Sequence, residues 1–128
     1  MPKILYVEDE PDIAELVRRR LEEDDEHRMI HARDGESGLA LALSELPDLI
    51  LMDLNLPEKD AGFDVNRRLK AGQATRSIPV IALTANVQWS EVRERTVAEG
   101  FVGHVSKPID FDRLLSLVEV YAGRGGGT

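Results

Sequence analysis

The sequence has no cysteine, no apolar run near the ~20 residues that cross a bilayer, and too few cations to balance its carboxylates. The first absence removes disulfide frameworks, thiolate zinc sites and thiol nucleophiles, and is compatible with a reducing compartment. The second, with an N-terminus Met1-Pro2-Lys3 that lacks the apolar core of a secretion signal, leaves no expected membrane segment. The third is arithmetic: 16 Lys plus Arg against 24 Asp plus Glu over 128 residues gives a net charge of −8. Such a surface is poorly suited to neutralising duplex phosphates or anionic headgroups. A cytoplasmic protein without nucleic acid or membrane partners is expected.

What is present is an alternation of two kinds of segment. A chain of this length forms one domain and buries roughly two-thirds of its unfolded surface. Unalternating apolar runs at Ile4-Leu5-Tyr6-Val7, Leu49-Ile50-Leu51-Met52 and Val80-Ile81-Ala82-Leu83 suit strands buried on both faces, with weaker ones at Met29-Ile30 and from Phe101 to Val105. Between them apolar residues recur at helical spacing, as Ile13, Leu16, Val17 and Leu21, and again as Phe111, Leu114, Leu115, Val118 and Tyr121. Pro11 suits a first turn, and Asp34 and Asp110 are candidate N-caps. Less regular helical stretches cover about 36–46, 63–70 and 90–99. Five βα units predict an α/β fold, a doubly wound five-stranded parallel sheet with flavodoxin-like layering. Residues 1–122 form the expected domain, and the glycine-rich residues 123–128 read as a flexible tail.

Ligands of such sheets sit at the carboxyl ends of the strands. There stand Glu8, Asp9 and Glu10 after the first strand, Asp53 at the end of the third, Thr84 at the end of the fourth and Lys107-Pro108 after the fifth. If the central strands are neighbours, Glu8, Asp9 and Asp53 converge, and their mutual repulsion requires a proton, a cation or a metal. An all-oxygen cluster without His or Cys suits a hard ion, Mg²⁺ with Mn²⁺ as the alternative. A metal so held keeps open positions for a phosphoryl oxygen, to which Thr84 adds a hydroxyl and Lys107 a charge. The constellation is one for phosphoryl transfer, with Asp53 as the candidate nucleophile.

In order and spacing, Ile4 to Glu10, Pro47 to Pro57, Pro79 to Ala85 and Ser106-Lys107-Pro108 resemble the receiver domain of two-component response regulators, the CheY-like family. The resemblance covers about residues 3–122. It implies that Asp53 accepts a phosphoryl group from a phosphohistidine on a sensor histidine kinase or histidine phosphotransfer protein. Asp9 and Asp53 would bind Mg²⁺ directly, Asn55 through its backbone carbonyl, and Glu8 through a water. Glu8 stands where the family often has Asp, and its extra methylene is expected to shift the carboxylate outward. Thr84 and the backbone amides after Asp53 and Thr84 would hold the phosphoryl oxygens. Asn55 and Asn86 take the positions that tune hydrolysis in the family. The implied output face is the fourth helix, fifth strand and fifth helix, through which a downstream protein would be bound. His104 replaces the family's switching aromatic, and coupling to Thr84 with some pH dependence is expected. Trp89, near the start of the fourth helix, is a candidate partner anchor or a core residue; His27 and His31 read as structural.

Two departures stand out: one extra residue in the loop 57–62 and one between Thr84 and Gly100. The expected behaviour is that of a phosphorylation-controlled binding module, not an enzyme beyond its own phosphotransfer and dephosphorylation, and a monomer or weak dimer. No residues remain for an output domain, and Met1 directly before the first strand favours a natural N-terminus. A pseudo-receiver is disfavoured by the complete Asp9, Asp53, Thr84 and Lys107 set. A haloacid-dehalogenase-type phosphatase needs Asp-x-Asp-x-Thr after the first strand, where Glu8-Asp9-Glu10-Pro11-Asp12 stands instead. A flavodoxin-like electron carrier needs a hydroxyl- and glycine-rich loop at that place.

Overall fold

The computed structural model describes residues 1–23, 26–85 and 89–123, with the backbone alone at 89 and 90. Five strands, β1 (Lys3–Val7), β2 (Arg28–Ala32), β3 (Leu49–Asp53), β4 (Val80–Thr84) and β5 (Gly103–Ser106), alternate with five helices. The helices are α1 (Pro11–Leu21), α2 (Gly35–Glu45), α3 (Ala61–Ala71), α4 (Trp89–Ala98) and α5 (Phe111–Ala122). The strands form one parallel sheet in the order β2-β1-β3-β4-β5, as the alternation predicts. The order places β1 directly against β3, with Val7 opposite Met52, so the ends of these strands lie side by side.

The apolar strand runs do not alternate because both faces are covered. On β1, Leu5 and Val7 join a cluster with Phe63, Val65 and Leu69 of α3 and Ala42 of α2. Ile4 and Tyr6 point the other way, into a cluster with Val17 and Leu21 of α1 and Leu114 and Val118 of α5. α4 lies beside α3: the Asn66 amide donates to the Glu99 carbonyl at 2.7 Å, and the Arg95 guanidinium sits 3.7 Å above the Phe63 ring.

Helix starts follow the capping expectations. Asp34 accepts from the Ser37 amide at 2.8 Å in a reciprocal capping box, and Asp110 accepts from the Arg113 amide at 3.1 Å. The α1 face differs from its expected pattern, because Ala14 takes the buried place and Leu16 is 50% exposed. Tyr121 lies at the margin of the α5 face, its hydroxyl donating to the Val102 carbonyl at 3.3 Å. At the end of α5, His27 Nε2 donates to the Gly123 carbonyl at 2.6 Å, a structural role for that histidine. The rest of the expected tail, 124–128, lies outside the described residues.

Candidate phosphoryl-transfer site

Parallel strand ends deliver the acidic residues to one place. Glu8, Asp9 and Asp53 each offer a carboxylate oxygen within 4.8 Å of the others. Glu8 is 0% and Asp53 1% exposed, whereas Asp9 lies at the rim. Oxygen donors alone, with Asp9 open to solvent, match what a hard divalent cation requires.

Lys107 closes the cluster from β5. Its backbone amide extends the β4–β5 ladder by donating to the Thr84 carbonyl at 3.0 Å. Its Nζ lies 2.9 Å from Glu8 Oε1 and 3.2 Å from Asp53 Oδ2. Burial alone would lower the ammonium pKa, but the two carboxylates outweigh it and raise it. The carboxylates themselves titrate as a pair. Burial and then the neighbouring Glu8 push Asp53 up to about 6, against the pull of the Asn55 amide and Lys107. For Glu8, burial is outweighed by hydrogen bonds from Asp53, Lys107 and Tyr6, and its pKa falls. In the metal-free chain the pair therefore holds one shared proton up to the edge of neutrality.

The Glu8 side chain does not shift outward. It turns in, and its Oε1 accepts from both Lys107 Nζ and, at 2.8 Å, the hydroxyl of Tyr6. Residues 6 and 8 share one face of β1 and its continuation, which brings a buried phenol under a buried carboxylate. Burial first, then the charge of Glu8, raises the Tyr6 pKa and keeps the hydroxyl a donor. His31 Nε2 donates to the Glu8 backbone carbonyl at 2.6 Å, so His31 braces the β1–α1 loop and is structural, as expected.

The amides beside Asp53 also differ from expectation. The Leu54 amide, directly after Asp53, is consumed by the sheet through Leu83 O at 2.8 Å. The Asn55 amide instead donates to Asp53 Oδ1 at 2.8 Å, and the Ala85 amide, directly after Thr84, donates to the Asn55 side-chain oxygen at 2.8 Å. Asn55 thus links the two loops that flank the acceptor. Thr84 is buried at the end of β4 and borders a cleft of 240 Å³ with Asn55, Asp60, Phe63 and Arg95.

The longer loop after β3 reaches α4 across that cleft. Asp60, in the longer loop after β3, takes a left-handed conformation (φ 59°) and accepts from Arg95 of α4 at 3.2 Å. His104 is half-buried on β5, its carbonyl accepting from Arg113 Nε at 2.8 Å. Asn86 and the Trp89 side chain lie outside the described residues. Tyr6, Asp60 and Arg95 were not singled out by the sequence. For Tyr6 the signal was available, as a polar-tipped residue two places before Glu8 within an otherwise aliphatic run.

Comparison with known proteins places this geometry. The family described as response regulator receiver domain matches residues 4–119. The chain is 36% identical over 123 residues to the polar-differentiation response regulator DivK of Brucella anthropi, covering 96% of this chain and 98% of DivK. It is 39% identical over 118 residues to the DNA-binding dual master transcriptional regulator RpaA of Synechocystis, covering 92% of this chain but 48% of RpaA. It therefore spans about half the length of RpaA and nearly all of DivK. Among solved structures, the receiver domain of sensor histidine kinase PA1611 from Pseudomonas aeruginosa, with a magnesium ion coordinated in its active-site cleft, is 30% identical. It superposes with a TM-score of 0.82 over 95% of this chain and 98% of that one. The chemotaxis protein CheY4 of Vibrio cholerae is 26% identical, with a TM-score of 0.85 over 94% of this chain and 98% of that one. With the parallel (βα)5 sheet and the acidic cluster at its strand ends, these matches show that the chain belongs to the response regulator receiver domain family of two-component signal transduction.

Proposed function

We propose that the chain accepts a phosphoryl group on Asp53 from a phosphohistidine and uses the new charge to switch a protein-binding surface. The observation that carries this reading is Lys107 Nζ between Glu8 and Asp53, at 2.9 and 3.2 Å, beside three carboxylates close enough to share one cation. Asp9 and Asp53, with the Asn55 carbonyl and Glu8, are the groups that would hold Mg²⁺, and the bound ion supplies positive charge against the phosphoryl oxygens.

In the transfer, an Asp53 carboxylate oxygen attacks phosphorus in line with the leaving imidazole nitrogen, so one P–O bond forms as the P–N bond breaks. Asp53 must first lose the proton it shares with Glu8. Lys107 is already placed to balance the charge that collects on the transferred group. To receive the phosphoryl oxygens, the Ala85 amide must give up the Asn55 side chain, and Thr84 adds its hydroxyl. Asn55, freed from Ala85, would then influence the hydrolytic water, a role the family resemblance also gives Asn86.

The switch would pass from Thr84 to His104 and the α4–β5–α5 face, where a downstream protein binds; phosphotransfer and hydrolysis on Asp53 are its only chemistry. The donor is a histidine kinase or histidine phosphotransfer protein. Incubation with acetyl phosphate or a phosphorylated histidine kinase in the presence of Mg²⁺, followed by intact-mass measurement, tests the reading. Wild type gains one phosphoryl group and Asp53→Asn gains none. An unmodified wild type, or equal labelling of both, would refute it.

A further inference from the structure

The phosphoryl-transfer reading leaves one buried polar group of the site without a role. Tyr6 is fully buried on the α1/α5 side of the sheet, among Val17, Leu83, Leu114 and other aliphatic residues. Packing alone would be served equally well by an apolar ring. Its hydroxyl is spent on one contact, the 2.8 Å hydrogen bond to Glu8 Oε1.

Glu8 Oε1 has a second donor, Lys107 Nζ, which is shared with Asp53. Glu8 Oε2 accepts a long bond of 3.3 Å from the Glu10 amide. Oε1 is thus the more firmly anchored of the two carboxylate oxygens. During phosphotransfer Lys107 must serve the incoming group as well. Tyr6 is the donor that stays on Oε1 when Lys107 turns away, so the buried carboxylate keeps both a partner and its orientation. Leaving such a group unpaired is costly.

From this contact we infer that Tyr6 is a positioning residue for cation binding, acting through Glu8: its hydroxyl holds the carboxylate in the orientation that keeps it in the cluster with Asp9 and Asp53. The inference rests on the cluster being a Mg²⁺ site, as proposed above. A hydrogen-bond partner one step removed from a metal typically changes affinity by about an order of magnitude or more. Since Glu8 acts at one remove itself, Tyr6→Phe should weaken Mg²⁺ binding about three- to tenfold.

Isothermal titration of the metal-free protein with MgCl₂ tests this without any turnover. Expected are a higher Kd for Tyr6→Phe than for wild type, and no further effect of Tyr6→Phe in a Glu8→Ala background. A folded Tyr6→Phe protein with the wild-type Kd, or equal effects in both backgrounds, overturns the inference. The wild type supplies a second readout that needs no variant. The chain has two tyrosines, and with ¹³Cζ-labelled tyrosine the Tyr6 resonance, distinguished by Tyr121→Phe, should shift on adding Mg²⁺ while Tyr121 does not. A Tyr6 resonance that stays fixed while Mg²⁺ binds overturns the role of Tyr6 alone. A wild type that takes up no Mg²⁺ overturns the cation site as well, and the two failures are thereby distinguished.

Discussion

Asp53 is a group the fold holds at a cost. Its carboxyl is pushed from the ordinary 3.8 up to about 6 by burial and by Glu8. Between those values the folded chain keeps a proton that the unfolded chain has released, so ionisation of Asp53 above about pH 6 weighs against folding. Asp53→Asn removes that penalty. Without Mg²⁺ the variant should be the more stable protein above pH 6, and its advantage should fade as the pH falls towards 4. Urea unfolding at both ends of that window measures the difference; a variant equal to or weaker than wild type above pH 6 would contradict the account. At this scale the identities of Asp9, Asp53, Thr84 and Lys107 were legible because each stands directly at a strand end. The directions of Glu8 and Asn55 were not. Asn55 is turned by the Ala85 amide, distant in sequence, and Glu8 by Lys107 across the sheet together with Tyr6 beneath it.

Elements carry these residues to the site, and one contact shows how closely. α3 begins against the end of β3: a Cβ on Gly62 would lie 2.7 Å from the Asp53 carbonyl oxygen and 3.0 Å from the Leu54 side chain. Backbone cannot yield as a flexible side-chain tip does. Gly62→Ala should therefore lift the start of α3, lower stability by about 1–3 kcal/mol and slow phosphorylation of Asp53; chemical denaturation and a phosphotransfer time course read the two effects. On β5, burial and then the charges of Arg113 and Arg93 hold the His104 pKa below the ordinary 6.5. Folding is thus disfavoured by its protonation, and any pH dependence that His104 carries falls below 6.5. An NMR titration of the His104 ring that gave a higher value would contradict this. The central strands were legible because they are buried on both faces. The edge strand β2 was weaker in the sequence because its pattern is only partly buried. The contact between Asp60 of the longer loop and Arg95 of α4 was not legible, since it needs α3 and α4 side by side.

For the molecule as a whole, the strand order 2-1-3-4-5 is what turns separate acidic residues into a cluster. Part of the net charge of −8 is concentrated there. Binding of Mg²⁺ to the folded chain alone should raise stability by about 2.7 kcal/mol when the ion is at 100 times its Kd. The gain should be larger above pH 6 than below it, because the cation competes with the proton on Asp53. Thermal unfolding with and without MgCl₂ at the two pH values checks this, and an equal shift at both would contradict it.

On the proposed reading Asp53 becomes an acyl phosphate. Borohydride reduces such a group to homoserine, which peptide sequencing by mass spectrometry locates. After treatment with a phosphorylated histidine kinase and Mg²⁺, homoserine is predicted at position 53 and nowhere else. Homoserine at another acidic residue, or none in a protein shown to carry the phosphoryl group, would contradict the account.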